Sequence, residues 1–133
     1  MKASPSILKA ALLAGVALAA VSWHAKPGTP KPQKVRLARL VVDSTQLARY
    51  KALLKEGVEA AVQKEPGVLT LYAVFEQKRP NHVTILEVYA DEAAYQAHLN
   101  TPHFMKYKQG TSAMVQQLEL VETDPLIPEL KIK

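Results

Sequence analysis

The sequence predicts an α+β fold in which two helices cover one face of a four-stranded antiparallel sheet. Two amphipathic helical patterns alternate with four short apolar stretches in the order β-α-β-β-α-β, which is the ferredoxin-like arrangement. Residues 68–75, the second of these stretches, are apolar on both alternating faces, so both faces are expected to be covered. Because the helices can cover only one of them, we expect a homodimer with sheets packed face to face, a dimeric α/β-barrel.

The first strand and the first helix follow from local patterns. Residues 35–42 are rich in valine and leucine and predict a strand. Asp43 can cap the helix that follows, and from Leu47 apolar residues recur every three or four positions, which predicts an amphipathic helix of about five turns. Pro66 cannot continue this helix, and Gly67 is expected to take a left-handed turn at its end.

The rest of the domain is predicted in the same way. Residues 68–75 and 82–89 predict a hairpin, with Leu69, Leu71, Ala73 and Phe75 on one face of the first of these strands. Asp91 is expected to cap a short second helix that ends at residue 100. Thr101 and Pro102 have the residue types that begin another helical turn, which is expected to end near residue 110. Residues 114–122 predict the fourth strand.

The chain of 133 residues has room for one domain of roughly 100 residues. Residues 1–22 have the lysines, the apolar run and the small residues of an export signal, with an uncleaved membrane anchor as the alternative. Residues 23–34 predict a proline-rich linker, residues 35–123 the domain, and residues 124–133 an irregular tail. We therefore expect a periplasmic or secreted protein with no stable membrane association after signal cleavage.

Composition excludes several classes of function. The net charge is only +5, and no dense run of lysine and arginine carries interleaved aromatic residues, so nucleic acid is not an expected partner. The chain has no cysteine, which excludes disulfides and thiolate metal sites. No glycine-rich phosphate loop is present, so neither nucleotide nor flavin binding is predicted.

Three polar residues are the candidate catalytic groups. Glu87 lies in an apolar strand face and must be paired, hydrogen-bonded or protonated there; it is either an acid/base group or a structural partner of an arginine. His98 is expected to point from the second helix toward the sheet, as a proton acceptor or as a core histidine bonded to a backbone carbonyl. His103 is either a third catalytic group or a surface residue at a helix start.

Aromatic residues close to these groups predict a pocket for a flat ring, with an ordinary core as the alternative. The candidate substrate-binding residues are Tyr72, Tyr89, Tyr95 and Phe104. A metal site built from His98, His103 and Glu87 is the competing interpretation. The five-residue spacing across a proline is not expected to place both imidazoles on one helix face, so we predict no metal site.

Three segments carry a resemblance to a known family: Glu-Pro-Gly at 65–67, Leu-Glu-Val-Tyr-Ala at 86–90, and Ala-His-Leu-Asn-Thr-Pro-His-Phe at 97–104. Together they resemble the antibiotic biosynthesis monooxygenase domain, in its quinol monooxygenase branch, over about residues 35–122. The resemblance implies a dimeric ferredoxin-like barrel and oxygenation of phenols, quinols or anthrone-like rings by dioxygen without a cofactor. It also implies polar roles for Glu87, His98 and His103 and a lining role for Tyr72 and Tyr89.

The leading hypothesis is therefore an exported, homodimeric, cofactor-independent monooxygenase that acts on a quinol-like or polyphenolic aromatic. One alternative is a dimeric stress or binding protein that shelters a small hydrophobic ligand without chemistry. Another is a haem-degrading relative. His98 lies in a place comparable to the haem-binding histidine that the resemblance implies for such proteins, but the tryptophan expected in their strand region is missing.

Overall fold

The computed structural model describes residues 31–129. Its elements are β1 (Lys34–Val42), α1 (Leu47–Lys64), β2 (Val68–Phe75), β3 (His82–Tyr89), α2 (Glu92–Leu99), α3 (Pro102–Thr111) and β4 (Val115–Thr123), with a 3₁₀ turn at Ser44–Gln46 before α1. The strands form one antiparallel sheet in the order β2-β3-β1-β4. The predicted ferredoxin-like α+β fold is confirmed.

The predicted targeting segment and the end of the predicted tail lie beyond the residues that the structure describes. The predicted export signal, residues 23–30 of the predicted linker, and residues 130–133 of the tail lie outside the described residues. Lys34, which was expected in the linker, is instead the first residue of β1. Among residues 31–129, no helix is both long enough and apolar enough to cross a membrane.

Side chains cap α2 and α3 where the sequence predicts, whereas Asp43 caps the 3₁₀ turn before α1 rather than α1 itself. Asp43 accepts a hydrogen bond from the backbone N–H of Thr45, and Asp91 accepts one from Ala94 at 2.7 Å. Thr101 caps α3, with a proline at the first helical position. Each cap satisfies a backbone donor that the first helical turn leaves unpaired. These caps fix where α2 and α3 begin, and so where their histidines lie.

The core lies between the helices and one face of the sheet, which we call the inner face. Its buried members are Ala38, Leu40, Val42, Tyr50, Leu54, Val83, Ile85 and Met114. The opposite face of the sheet, the outer face, carries no helix from residues 31–129. Both faces were predicted to be apolar, and the register of the strands shows which side chains lie on each.

A β-bulge in β2 changes one of the predicted faces. Val68 pairs with Tyr89 and Thr70 pairs with Val88, so β2 advances by two residues where β3 advances by one. Leu69 is the extra residue of this bulge and is exposed, whereas Val68 and Leu71 both pack toward the helices. The prediction that Leu69 shares a face with Leu71 is therefore wrong.

Gly67 is required for close packing rather than for an unusual backbone angle. No glycine among the described residues has a positive φ, so the predicted left-handed turn at Gly67 is wrong. A Cβ added at Gly67 would lie 2.5 Å from the Cβ of Ala94. The absence of a side chain at Gly67 thus lets the α1–β2 connection contact α2 directly, which sets the position of α2 over the sheet.

The Gly67→Ala variant is expected to lose about 1–3 kcal/mol of unfolding free energy, because the two methyl groups cannot both fit. Urea denaturation measures this loss. Adding Ala94→Gly to Gly67→Ala removes the clash and should restore part of the lost unfolding free energy. The recovery is incomplete because a glycine within a helix itself costs about 1 kcal/mol. Wild-type stability for Gly67→Ala alone would contradict the packing argument.

Candidate active site

A cavity of about 510 Å³ lies between the inner face of the sheet and the helices. Most of its wall is apolar, with Leu40, Leu54, Ile85, Leu99, Phe104 and Leu118 among the lining side chains. Polar residues also line it. One group, which we call the polar wall, consists of Arg36, Glu87, Tyr89, Tyr95 and His98, and the lining also includes Tyr107, Lys108, Thr111 and Ser112. An apolar hollow with a few converging polar groups is typical of a small-molecule site.

The strand register creates a row of charges in the polar wall. Arg36 on β1 lies directly opposite Glu87 on β3 and Glu122 on β4. Its Nε is 3.4 Å from Glu87 Oε2, and its Nη1 is 3.7 Å from Glu122 Oε1. The side chain is only 4% exposed, and its guanidinium lies 4.8 Å from the centre of the Tyr95 ring. Glu87 is therefore the ion-pair partner of a buried arginine, as one of its two interpretations expected.

Arg36 and Glu87 lie within ion-pair distance, but their geometry is not that of a hydrogen bond. The Nε of Arg36 is buried and has no hydrogen-bond partner among the described residues, although Glu87 lies within ion-pair distance of it. The attraction between the two groups is therefore mainly electrostatic. A buried cation depends strongly on such a counter-charge, because taking either charge out of water without the other costs several kcal/mol.

Tyr89 donates its hydroxyl hydrogen to Glu87 Oε2 at 3.2 Å. Burial raises the pKa of the Glu87 carboxyl above its ordinary value, and the nearby Arg36 and Tyr89 only partly oppose this. Burial, together with the charge of Glu87, also raises the pKa of the Tyr89 phenol. Tyr89 therefore stays protonated at neutral pH and acts as a hydrogen-bond donor that holds one oxygen of Glu87.

His98 is oriented by a carboxylate that the sequence did not single out. Its Nδ1 lies 2.8 Å from Oε1 of Glu65, the residue that ends α1. Because an ionised carboxylate can only accept, Nδ1 carries the hydrogen, and in the neutral imidazole Nε2 is then the nitrogen with the free lone pair. His98 is 6% exposed and lines the cavity. The expected bond from this histidine to a backbone carbonyl is replaced by a bond to Glu65.

His103 contacts the same oxygen from the other side. Its Nε2 lies 2.5 Å from Glu65 Oε1, and the centres of the His98 and His103 rings are 6.2 Å apart. The break at Thr101 and Pro102 turns α3 so that the two imidazoles approach each other. The expectation that the proline keeps them apart is therefore wrong, and the carboxylate between them is Glu65 rather than Glu87.

The predicted site residues separate into two groups. Glu87, His98, Tyr89, Tyr95 and Phe104 all line the cavity. His103 does not line it and reaches it only through Glu65 and the His98 ring.

Tyr72 was predicted to bind the substrate, and the structure shows that this prediction is wrong. It pairs with Leu86 on the outer face and is 66% exposed. Successive residues of a strand point to opposite faces, and Leu71, beside Tyr72, lines the cavity from the inner face. Tyr72 therefore cannot reach a ligand in this cavity.

Comparison with known proteins identifies the family. Residues 35–110 match the model of the family described as antibiotic biosynthesis monooxygenase. The chain belongs to the antibiotic biosynthesis monooxygenase family. A crystal structure from Bacteroides thetaiotaomicron, provisionally named an antibiotic biosynthesis monooxygenase, is 60% identical. The match covers 77% of this chain and 97% of that chain, with a TM-score of 0.75.

Other solved structures share the fold at lower identity. A protein from Nitrosomonas europaea, provisionally given the same name, is 17% identical with a TM-score of 0.69, over 75% of this chain and 96% of that one. A provisionally named monooxygenase from Lactobacillus acidophilus is 25% identical with a TM-score of 0.68, over 69% of this chain and 44% of the other. No curated protein matches the chain. Family membership supports a monooxygenase-like function.

The segments that carried the resemblance to the antibiotic biosynthesis monooxygenases meet in space. Glu65 comes from the first segment, Glu87 from the second, and His98 and His103 from the third. In the fold, Glu65 joins the two histidines, and both Glu87 and His98 line the cavity. In this family member, Glu87 and His98 thus both reach the polar wall from distant parts of the sequence, and Glu65 and His103 contact each other next to His98.

Proposed function

We propose that this antibiotic biosynthesis monooxygenase family member is an exported, cofactor-independent monooxygenase that oxidises a quinol-like or polyphenolic aromatic with dioxygen. The observation that carries the proposal is the orientation of His98. Glu65 holds its Nδ1–H, which leaves Nε2 as the proton acceptor of a side chain that lines a mostly apolar cavity. The export part rests on the signal-like composition of residues 1–22.

The reaction begins with proton transfer from a substrate hydroxyl to Nε2 of His98. The resulting phenolate is electron-rich and gives one electron to dioxygen, which yields superoxide and a ring radical. Their recombination forms a C–O bond, and cleavage of the O–O bond leaves one oxygen atom in the product. The other oxygen atom leaves as water with two hydrogens from the substrate, so a quinol and dioxygen give a hydroxyquinone and water.

Glu87 is suited to orient the ring. Its Oε2 is already engaged by Tyr89 and Arg36, and within residues 31–129 its Oε1 has no hydrogen-bond or ion-pair partner. A second hydroxyl of the substrate can donate to this oxygen while the first donates to His98. Two acceptors on one wall favour a ring that carries two hydroxyl groups, and the apolar walls confine its carbon skeleton.

Oxygen uptake by chelator-treated protein with a panel of hydroquinones tests this function. We expect one dioxygen consumed per ring and one labelled atom in the product when ¹⁸O₂ is supplied. Failure to consume oxygen with every electron-rich ring in the panel would overturn the oxygenase assignment. Two labelled atoms per ring would contradict a monooxygenase.

Binding without chemistry is the second candidate, and the largely apolar wall of the cavity is the observation that favours it. Native mass spectrometry of freshly purified protein separates the two functions. A co-purified small hydrophobic molecule that stays unchanged in air supports binding alone. A molecule that gains oxygen on exposure to air supports the monooxygenase.

A homodimer is part of the same proposal. Tyr72, Leu86, Leu37 and Val121 lie side by side across the outer face, where no helix of the described chain covers them. Members of the family are commonly dimeric. An apolar row across a whole sheet face suits a second copy packed sheet against sheet.

The Tyr72→Glu variant is expected to shift the protein from dimer to monomer, because two copies of the new charge would be buried against an apolar face. Size-exclusion chromatography with light scattering measures this change. Gln77→Glu, which adds the same charge in an exposed turn, is the matched control and should leave the mass unchanged. A Tyr72→Glu protein that remains dimeric would place the interface elsewhere.

A further inference from the structure

Three side chains with atoms that could hold a metal ion, those of Glu65, His98 and His103, converge at the Nδ1 side of the His98 ring. They come from the end of α1, the last turn of α2 and the first turn of α3. Oε1 of Glu65, Nδ1 of His98 and Nε2 of His103 all lie within 4.8 Å of one another. The capping residues that begin α2 and α3 place the two histidines in this arrangement.

The charge balance at Glu65 favours a cation. The side chain of Glu65 is only 13% exposed, and within residues 31–129 its only ion-pair partners are these two imidazoles. No lysine or arginine of the described chain compensates the carboxylate. A buried carboxylate is costly without a positive partner. A neutral imidazole supplies a hydrogen bond but no net charge, so a bound metal ion would supply what only a protonated imidazole could otherwise provide.

We propose that Glu65, His98 and His103 bind one divalent transition-metal ion. Two imidazoles and one carboxylate are a donor set that Zn²⁺, Co²⁺ and Fe²⁺ accept, with positions left for water. A hard cation such as Mg²⁺ prefers oxygen ligands and is excluded by the two nitrogens. The ion takes the place of the two ring hydrogens that now point at Glu65.

Metal binding at this position controls the base, and this part rests on the proposed function. A neutral imidazole has one nitrogen with a hydrogen and one without. When a metal ion occupies Nδ1 of His98, the hydrogen resides on Nε2, and no ring lone pair faces the cavity. The metal ion is therefore an inhibitor of the oxygenase rather than its cofactor.

The binding part is tested by titrating Co²⁺ into the chelator-treated full-length protein and recording the visible absorption of the bound ion. We expect saturation at one ion per chain. The His103→Asn variant removes one ligand and should weaken binding by about a hundredfold. His82→Ala, which removes a histidine at the start of β3, is the matched control and should bind as the wild type does.

X-ray absorption of the Zn²⁺-loaded wild-type protein gives a readout that needs no variant, and we expect two imidazole ligands. Absence of saturable binding, or binding that His103→Asn leaves unchanged, overturns the site. Stoichiometric Zn²⁺ should suppress oxygen uptake, and a chelator should restore it. Metal binding with undiminished or increased turnover overturns the inhibitory role, and the absence of any turnover refutes the proposed function while the binding result stands.

Discussion

The His98→Ala variant is expected to lose turnover by about 10²–10⁴-fold, which is the usual contribution of a positioned general base. In the proposed mechanism, Nε2 of His98 accepts the substrate proton while Glu65 holds Nδ1 of the same ring. The apolar walls that confine the ring are unchanged in the variant, so KM should change much less than kcat. Oxygen uptake with the best hydroquinone of the panel measures both parameters.

A chemical role and a structural role give different results in this variant. Free imidazole added to His98→Ala should restore part of the turnover, because the space left by the deleted ring opens into the cavity that His98 lines. His82→Ala should retain full activity. A folded His98→Ala protein with wild-type turnover would remove His98 from the mechanism.

The Arg36→Met variant is expected to lose about 3–5 kcal/mol of unfolding free energy, the usual effect of removing one partner of a buried ion pair. Arg36 is nearly fully buried, and its replacement removes the cation that pairs with the Glu87 carboxylate. Arg39 on the same strand provides the control, since its ion pair with Glu119 is exposed. Arg39→Met should therefore cost less than about 1 kcal/mol.

The loss of unfolding free energy in Arg36→Met should become larger as the pH increases. Burial already raises the pKa of Glu87, and Arg36 opposes this rise, so the pKa of Glu87 rises further in the variant. A carboxyl with a raised pKa in the folded state keeps its proton to a higher pH than in the unfolded chain, and stability falls as pH increases through that window.

Chemical denaturation of Arg36→Met at about pH 5 and about pH 8 should therefore show the larger loss at the higher pH. The double variant Arg36→Met/Glu87→Leu removes both charges and should recover much of the stability at both values. Equal losses at the two pH values would contradict the account of Glu87.

The parts of the fold that could be predicted are those that neighbouring residues determine. Asp91 and Thr101 cap helices within three residues of their own positions, so their roles are visible in the sequence alone. The order of helices and strands along the chain also follows from patterns among neighbouring residues. Glu65, by contrast, is 33 residues from His98 and 38 from His103, and its motif indicated only the end of a helix.

The features that the sequence left open or predicted wrongly also depend on contacts between distant residues. The pairing of Arg36 with Glu87 depends on the register between β1 and β3, which the pattern of each strand alone does not specify. The bulge turns the side chain of Leu69 away from the helices, although the other side chains of β2 alternate regularly between the two faces. Tyr72 has the residue type of a pocket lining, but only the pairing of its strand shows that it faces the other way.

The last strand determines how selective the cavity can be. Leu118 and Leu120 of β4 line it and yet are 46% and 49% exposed, because no helix of the described part of the chain lies over this edge of the sheet. A guest held at its hydroxylated head can extend fused rings or an alkyl tail past these two leucines into water. The proposed enzyme should therefore discriminate strongly between oxygen substituents and weakly between substrates of different length. Release of the product past Leu118 and Leu120 should need only rotation of side chains.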